Sequence, residues 1–294
     1  MLKQLSLFKD SKTYHIRPLK TQLLKWIGNK QRFASEIVSY FPTDFNAYFE
    51  PFLGSGAVLA TLAPEKAIGS DIFNPLIEIW QTLQKSPETV KKWYSDKWHT
   101  FMKGDKKEEY EKVKESYNQN PNGADLLFIS RSCYGGVMRF RQADGYISTP
   151  VGIHKPILPM SFSKRVDEWY ERTKGTKFLI LDYSEAMEMA KPKDLIYCDP
   201  PYCHSQTILY GAQSFSLEKL LESIENCKSK DIYVALSIDG KKRSGNYICD
   251  IPIPSKLFER EIFIECGRSM LKRFQMQNRS LEGEFVSDRL LLTY

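Results

Sequence analysis

The sequence has no run of about 20 apolar residues, which is the length a membrane-spanning helix requires. Residues 1–12 mix Lys, Gln, Asp and Ser with single apolar residues, so they lack the continuous apolar stretch of a secretory signal. With 42% hydrophobic and 13% aromatic residues, the chain is too apolar to be disordered. We therefore expect a folded cytoplasmic protein that makes no membrane contact.

Patterns typical of metal binding are also missing. The chain has six Cys and four His, and no cluster combines them. Cys198 and Cys203 are five positions apart, whereas the paired cysteines of zinc sites are usually three apart. We expect reduced thiols and no bound metal.

Neither sign of charge dominates. The 42 Lys and Arg residues exceed the 36 Asp and Glu residues by six. This mild excess is compatible with a polyanionic partner but does not require one, because net charge bears on association and not on fold. The length of 294 residues favours one large domain or a core domain with an insertion.

Short apolar runs alternate with helical patterns near both ends of the chain. This alternation predicts an α/β fold with a mostly parallel sheet covered by helices. The predicted strands are 46–50, 66–70, 178–183, 194–198 and 232–238, followed by an antiparallel pair at 260–266 and 290–294. The predicted helices include 22–41, 57–63, a long helical stretch at 75–118, and 124–132. Residues 75–175 would form an inserted lobe between two parts of the core, 1–74 and 176–294.

A glycine turn follows the first predicted strand. Phe52 opens the turn, Gly54 and Gly56 allow it to be tight, and Asp71 ends the next strand. Such a turn exposes backbone to a ligand. An acidic residue at the end of the next strand can accept hydrogen bonds from both ribose hydroxyls of an adenosine. An ordinary strand-to-helix turn explains the same pattern about equally well. The spacing is not GxGxxG, which favours an adenosine without a pyrophosphate.

A second motif, Asp199-Pro200-Pro201-Tyr202, follows the apolar run 195–198. The prolines fix the backbone and remove two amide donors, so backbone carbonyls remain as acceptors. Asp199 adds a carboxylate and Tyr202 adds a flat ring, a combination that suits the exocyclic amine of a planar base. A rigid turn is the alternative, but a turn needs neither the Asp nor the Tyr.

A third motif, residues 25–30, contains Trp26 and Lys30 and would in isolation be a basic helix start with a core Trp. The order of the motifs along the chain, however, resembles that of the D12-class (alpha group, Dam-like) DNA N6-adenine methyltransferases. The motifs that carry this resemblance are 25–30, 49–56, Asp71 and 199–202. Residues 131–136, with Arg139 and 149–152, are similar to that family's target-recognition hairpin, and the likeness extends from Leu23 to Tyr294.

The resemblance implies a Rossmann-like class I methyltransferase fold with an inserted target-recognition domain of helices plus a hairpin. The implied reaction transfers a methyl group from S-adenosylmethionine to N6 of an adenine flipped out of duplex DNA. The implied cofactor residues surround S-adenosylmethionine. Trp26 and Lys30 would contact its methionine end, the turn with Phe52, Gly54 and Gly56 would wrap the cofactor, and Asp71 would hold its ribose. Asp182 and Tyr183 would flank its adenine, and Asp199 would lie near its methyl group.

The resemblance also implies the residues that contact DNA. Asp199, Pro200, Pro201 and Tyr202 would hold the target adenine, and Arg131, Tyr134, Arg139 and Arg141 would contact the duplex. Gly135, where the family commonly has Asn, and the divergent segment 145–149 leave the DNA sequence undetermined. The implied partner is double-stranded DNA, and the implied state is a monomer. The biological context is left open between restriction-modification, with a cognate restriction endonuclease acting separately, and an epigenetic or phage-protection role.

Three other functions compete with this one. An RNA N6-adenine methylase would share the cofactor loop and the aromatic clamp, but would seldom carry a recognition insertion. A nucleotide-binding oxidoreductase would require the GxGxxG spacing that the chain lacks. A non-catalytic DNA-binding protein with a dead methylase core would not need the intact motif at 199–202.

Overall fold

The computed structural model describes residues 18–141, 143–201, 215–242, 247–248, 253–254, 256–268 and 285–294. Its strands are β1 Tyr48–Glu50, β2 Ala67–Asp71, β3 Thr176–Ile180, β4 Leu195–Cys198, β5 Tyr233–Asp239, β6 Lys241–Lys242, β7 Tyr247–Ile248, β8 Arg260–Arg268 and β9 Phe285–Leu292. Its helices are α1 Ala34–Ser39, α2 Ala57–Leu62, α3 Asn74–Lys85, α4 Pro87–Lys103, α5 Lys106–Gln119, α6 Gly123–Ser132, α7 Pro159–Thr173, α8 Tyr183–Glu188 and α9 Leu217–Ser229, with a 3₁₀ turn at Tyr134–Gly136.

Seven strands form one sheet in the order β3-β2-β1-β4-β5-β9-β8. Strands β1 to β5 are mutually parallel, whereas β9 runs antiparallel to both β5 and β8. The predicted mostly parallel sheet and its closing antiparallel pair are therefore confirmed. In the described part of the chain, no helix is both long enough and apolar enough to cross a membrane.

Helices α3 to α7 all lie between β2 and β3 in sequence, and their buried side chains join the core on one side of the sheet. Trp80 of α3 packs on Trp169 of α7 and on Phe178 of β3, with ring centroids 5.4 and 5.6 Å apart. Aromatic pairs of this kind add about 0.5–1.5 kcal/mol beyond the burial of their area. The helices after β2 are thus anchored on the same hydrophobic core as the sheet.

The helix predicted at 22–41 is wrong over most of its length, since α1 begins only at Ala34. Side chains from elsewhere bind the backbone carbonyls of the segment before it. Trp169 donates to the carbonyl of Thr21 at 3.0 Å, and Arg165 donates to that of Gln22 at 3.0 Å. Because these carbonyls are bound by other elements, they are not used in a helical ladder.

The long helical stretch expected at 75–118 is three helices, broken where Pro87 begins α4 and where Asp105 caps α5. Helix α7 was not predicted, although its buried residues Phe162, Val166 and Trp169 follow a helical spacing. The strand expected at 178–183 ends at Ile180.

Candidate active site

A cleft of about 970 Å³, counting the part open to solvent, lies at the carboxyl edge of the parallel strands. Ligands of open α/β sheets bind at this edge. Residues from the motif at 25–30, the glycine turn, Asp71 and the motif at 199–202 line the cleft, and the structure brings together side chains more than 170 positions apart in sequence. No described residue of the predicted recognition hairpin is among them. The predicted cofactor and catalytic residues on its wall are Trp26, Lys30, Phe52, Gly54, Asp71, Asp182, Tyr183, Asp199, Pro200 and Pro201.

The glycine turn is held against the end of β2. Gly54 and Gly56 have φ angles of 46° and 62°, which only glycine adopts readily. A Cβ on Gly54 would lie 3.1 Å from the ring nitrogen of Trp26. The Asp71 carboxylate accepts hydrogen bonds from the Gly54 amide at 3.2 Å and from the Phe73 amide at 3.1 Å. Asp71 therefore holds the glycine turn in place through its hydrogen bond to the Gly54 amide.

Lys30 lies in the wall of the cleft and is only 5% exposed. Its ammonium group is 2.8 Å from Asp199 Oδ1 and 3.4 Å from Asp288 Oδ2. It also donates to the carbonyl of Gly28 at 3.4 Å. The ammonium group thus binds the carboxylate of the second motif directly, a contact that the sequence did not indicate.

Glu50, at the end of β1, is a second cleft residue to which sequence reasoning gave no role. It is 3% exposed, and its Oε2 accepts a hydrogen bond of 2.6 Å from the Tyr48 hydroxyl. Burial, reinforced by the nearby negative charge of Asp199, raises the pKa of Glu50 from 4.5 to about 8. One feature of the sequence could have pointed to Glu50, namely a carboxyl group at the end of a buried strand next to the glycine turn.

Three aromatic rings lie at the far side of the glycine turn. Phe52 stacks on Tyr183 with centroids 5.2 Å apart and meets Phe215 edge-on at 5.8 Å. Asp182 caps α8, where its Oδ1 accepts from the Ser184 amide at 3.0 Å. Asp182 and Tyr183 are therefore at the start of a helix and not within the expected strand.

The second motif leaves the sheet at the end of β4, a fully buried strand. Asp199 is partly buried, Pro200 is buried, and both border the cleft with Pro201. Tyr202, the predicted stacking partner of the target base, lies outside the described residues.

The expected recognition hairpin follows the 3₁₀ turn. Phe140 pairs with Ile147 across it, and Arg139 donates its amide hydrogen to Thr149 Oγ1 at 2.7 Å. The side chains of Tyr134 and Arg139 are both exposed. The exposed Arg141 binds Asp144, with Nε 2.7 Å from Oδ1.

The structure does not support the predicted DNA contact of Arg131. The residue is 6% exposed, and its Nη1 donates to the carbonyls of Gln22 at 2.9 Å and Leu23 at 3.0 Å. Burial lowers the pKa of its guanidinium group to about 10. Arg131 fastens α6 to the segment before Trp26, so we correct its role to a structural one.

Comparison with known proteins shows the family of the chain. Residues 26–260 match the model of the D12 class N6 adenine-specific DNA methyltransferases. The chain belongs to this family. The resemblance of the motifs is confirmed, and membership decides against an oxidoreductase. The Rossmann-like class I methyltransferase fold and adenine-specific DNA methylation follow from it.

Named relatives of this DNA methyltransferase are 26–29% identical. The type II methyltransferase M1.LlaDCHI of Lactococcus lactis subsp. cremoris is 27% identical over 72% of this chain and 79% of its own length. The DNA adenine methylase of Vibrio cholerae serotype O1 is 26% identical over 66% of this chain and 71% of its own. The type II methyltransferase M.MjaIII of Methanocaldococcus jannaschii is 29% identical over 61% and 68%. A solved rRNA methyltransferase, aviRa from Streptomyces viridochromogenes, has a TM-score of 0.35 and 10% identity, covering 89% of this chain and 83% of its own.

Proposed function

We propose that the cleft binds S-adenosylmethionine and presents its methyl group to an adenine amine held by Asp199 and the carbonyl of Pro200. The observation that carries this proposal is the shared cleft of Trp26, Asp71 and Asp199. Three motifs that are distant in sequence border one cavity, so a cofactor and a target base can meet there.

The residues of the cleft fit the cofactor. Asp71 offers a carboxylate beside a glycine turn, and the rings of Phe52 and Tyr183 offer apolar faces. Gly54 leaves room that a Cβ would fill against Trp26. When bound, S-adenosylmethionine supplies a methyl group already activated on a sulfonium, and no covalent enzyme intermediate is required.

The protein's own contribution is orientation of the amine. The lone pair of adenine N6 is delocalised into the ring, which makes it a poor nucleophile. Hydrogen bonds from N6 to Asp199 and to the Pro200 carbonyl hold the nitrogen nearer to tetrahedral, and a hydrogen bond to a charged group contributes about 1.5–3 kcal/mol. Alignment of the nitrogen with the methyl group contributes several kcal/mol more. The Lys30 ammonium group, whose Nζ is 2.8 Å from Asp199 Oδ1, holds that carboxylate in position.

The recognition insertion, residues 75–175, provides the DNA surface in this proposal. Tyr134 in the 3₁₀ turn and Arg139 in the hairpin are both exposed. We infer that Tyr134 contacts the disturbed base stack and that Arg139 reads a guanine. Extruding the adenine costs a few kcal/mol of stacking. Stacking on Tyr202 and insertion of Tyr134 would offset that cost.

Methyl transfer from radiolabelled S-adenosylmethionine to duplex DNA and to rRNA tests the proposal. We expect label in the DNA as N6-methyladenine and none above background in the rRNA. Sequencing of modified bases in DNA from cells that express the protein then gives the recognition site. Label found in rRNA alone would overturn the assignment to DNA.

We also propose that the protein acts as a monomer and protects DNA against a separate restriction endonuclease. Two of the relatives are named type II methyltransferases, and this supports the restriction-modification role. DNA methylated at the sequenced site should resist cleavage by the endonuclease of that specificity.

Asp71→Ala tests the cofactor part of the proposal. The substitution removes a ribose acceptor and the anchor of the Gly54 amide. We expect the KM for S-adenosylmethionine to rise by about 10–100-fold, the effect of losing one or two charged hydrogen bonds, with a much smaller change in kcat. Steady-state kinetics at saturating DNA measure this. Asp96→Asn, on the exposed surface of α4, is the control. An unchanged KM would remove Asp71 from the cofactor site.

Arg139→Ala tests base recognition. A bidentate arginine–guanine contact is worth about 1–3 kcal/mol of discrimination, so the preference for the correct site should fall by about 10–100-fold. Competition between cognate and single-substituted duplexes measures it. Arg141→Ala, in the same hairpin, should instead weaken all duplexes alike. Equal weakening by Arg139→Ala would contradict the recognition role.

A further inference from the structure

A carboxylate from the last strand reaches the active site. Asp288 of β9 is 8% exposed, and its Oδ2 is 3.4 Å from the ammonium group of Lys30. The same ammonium group is 2.8 Å from Asp199 Oδ1. Lys30 therefore bridges two carboxylates, and the second of them lies beyond residues 26–260, which the family model matches.

Strand direction explains how Asp288 arrives there. The strand β9 is antiparallel to β5, so its first residues lie at the edge where the parallel strands end. Asp288 is fourth in β9 and pairs with Asp239 of β5 and with Ile264 of β8. Because β9 is bonded on both sides, its backbone holds Asp288 in a fixed position beside the cleft.

The pattern of β9 makes this carboxylate exceptional. Asp288 shares one face of the strand with Leu290 and Leu292, which are both fully buried. The opposite face carries Arg289, whose Nε is 2.6 Å from Glu261 Oε1 at the surface. A carboxylate on a buried apolar face is costly unless a cation accompanies it. Lys30, itself buried, supplies such a cation at 3.4 Å.

We propose that Asp288 is a positioning residue that acts through Lys30 on Asp199. With carboxylates on two sides, the ammonium group has one defined position, and that position fixes the rotamer of Asp199. Without Asp288, Lys30 shifts towards Asp199, turns its carboxylate, and competes with the adenine amine for it. The inference rests on the proposed role of Asp199 as acceptor for N6.

Asp288→Asn tests the proposal, because it removes the charge and keeps the shape. We expect kcat at saturating cofactor and DNA to fall by about 10–100-fold, the effect of losing one hydrogen bond to a charged group, while both KM values stay within about threefold. Glu261→Gln, which breaks the surface ion pair of the same strand pair, is the matched control and should retain wild-type kcat. Calorimetric binding of S-adenosylmethionine and thermal melting accompany the kinetics.

A wild-type kcat in Asp288→Asn would overturn the proposal. A raised KM with unchanged kcat would also overturn it, since that result indicates a role in binding. If Asp288→Asn does not fold, Asp288→Glu replaces it, where the charge is displaced by one methylene; a lower kcat at unchanged KM supports positioning and a wild-type kcat refutes it. If the wild-type protein itself fails to methylate DNA, the proposed function fails instead.

Discussion

Replacing Asp199 with alanine is expected to lower the rate of DNA methylation by about 10²–10³-fold, the usual effect of removing one preorganised polar group from an active site. The side chain is both the proposed acceptor for the adenine amine and the nearer carboxylate of Lys30, at 2.8 Å. Its loss removes the proposed contact with the amine. It also removes the nearer of the two carboxylates beside the Lys30 ammonium group, so that of these two only Asp288 remains. Single-turnover kinetics with saturating cofactor measure the chemical step directly.

Cofactor binding should survive this substitution in part. Asp71 and the glycine turn are held by their own hydrogen bonds at the end of β2, and none of these involves Asp199. A matched control is Asp194→Asn, at the opposite end of the same strand, where the carboxylate accepts from the amides of Ala47 and Lys191. That variant should melt at a lower temperature and keep its kcat. Rapid methylation by Asp199→Ala would remove the residue from the centre of the mechanism.

The sequence indicates the cleft well because its residues belong to short motifs tied to strand ends. Gly54 and Asp199 follow buried strands, Asp71 is the last residue of β2, and parallel strands end at one edge. These local patterns, combined with the family resemblance of their order along the chain, predicted that the residues meet. The roles assigned to them stay predictions until the variants above are measured.

What the sequence did not indicate depends on contacts between distant segments. An arginine at position 131 is a residue type that often contacts DNA. Its guanidinium group instead donates to the carbonyls of residues more than 100 positions earlier in the chain. Asp288 joins Lys30 only because β9 inserts between β5 and β8. Neither arrangement can be deduced from spacing, although a carboxylate on the buried face of an apolar strand was a visible anomaly.

Glu50→Gln is expected to flatten the pH dependence of stability. The pKa of Glu50 is about 8 in the folded chain because of burial, and its ordinary value of 4.5 applies in the unfolded chain. Between these values the folded protein retains a proton that the unfolded chain has released. The free energy of unfolding therefore falls as pH rises from about 4.5 to 8, and the loss is complete above pH 8. Glutamine has no such proton, and its side-chain oxygen can still accept from the Tyr48 hydroxyl.

At pH 8 the variant should consequently exceed the wild-type protein in stability by about 3–5 kcal/mol, the free energy that corresponds to a pKa raised from 4.5 to about 8. For a chain of this length that corresponds to a rise in melting temperature of about 10 °C. The two proteins should converge towards pH 4.5. Melting curves of both, recorded from pH 5 to pH 9 without cofactor, measure the difference, because every other titrating group is common to the pair. Parallel curves would mean that Glu50 ionises in the folded protein as it does in water, and the buried acid beside Asp199 would then be charged during catalysis.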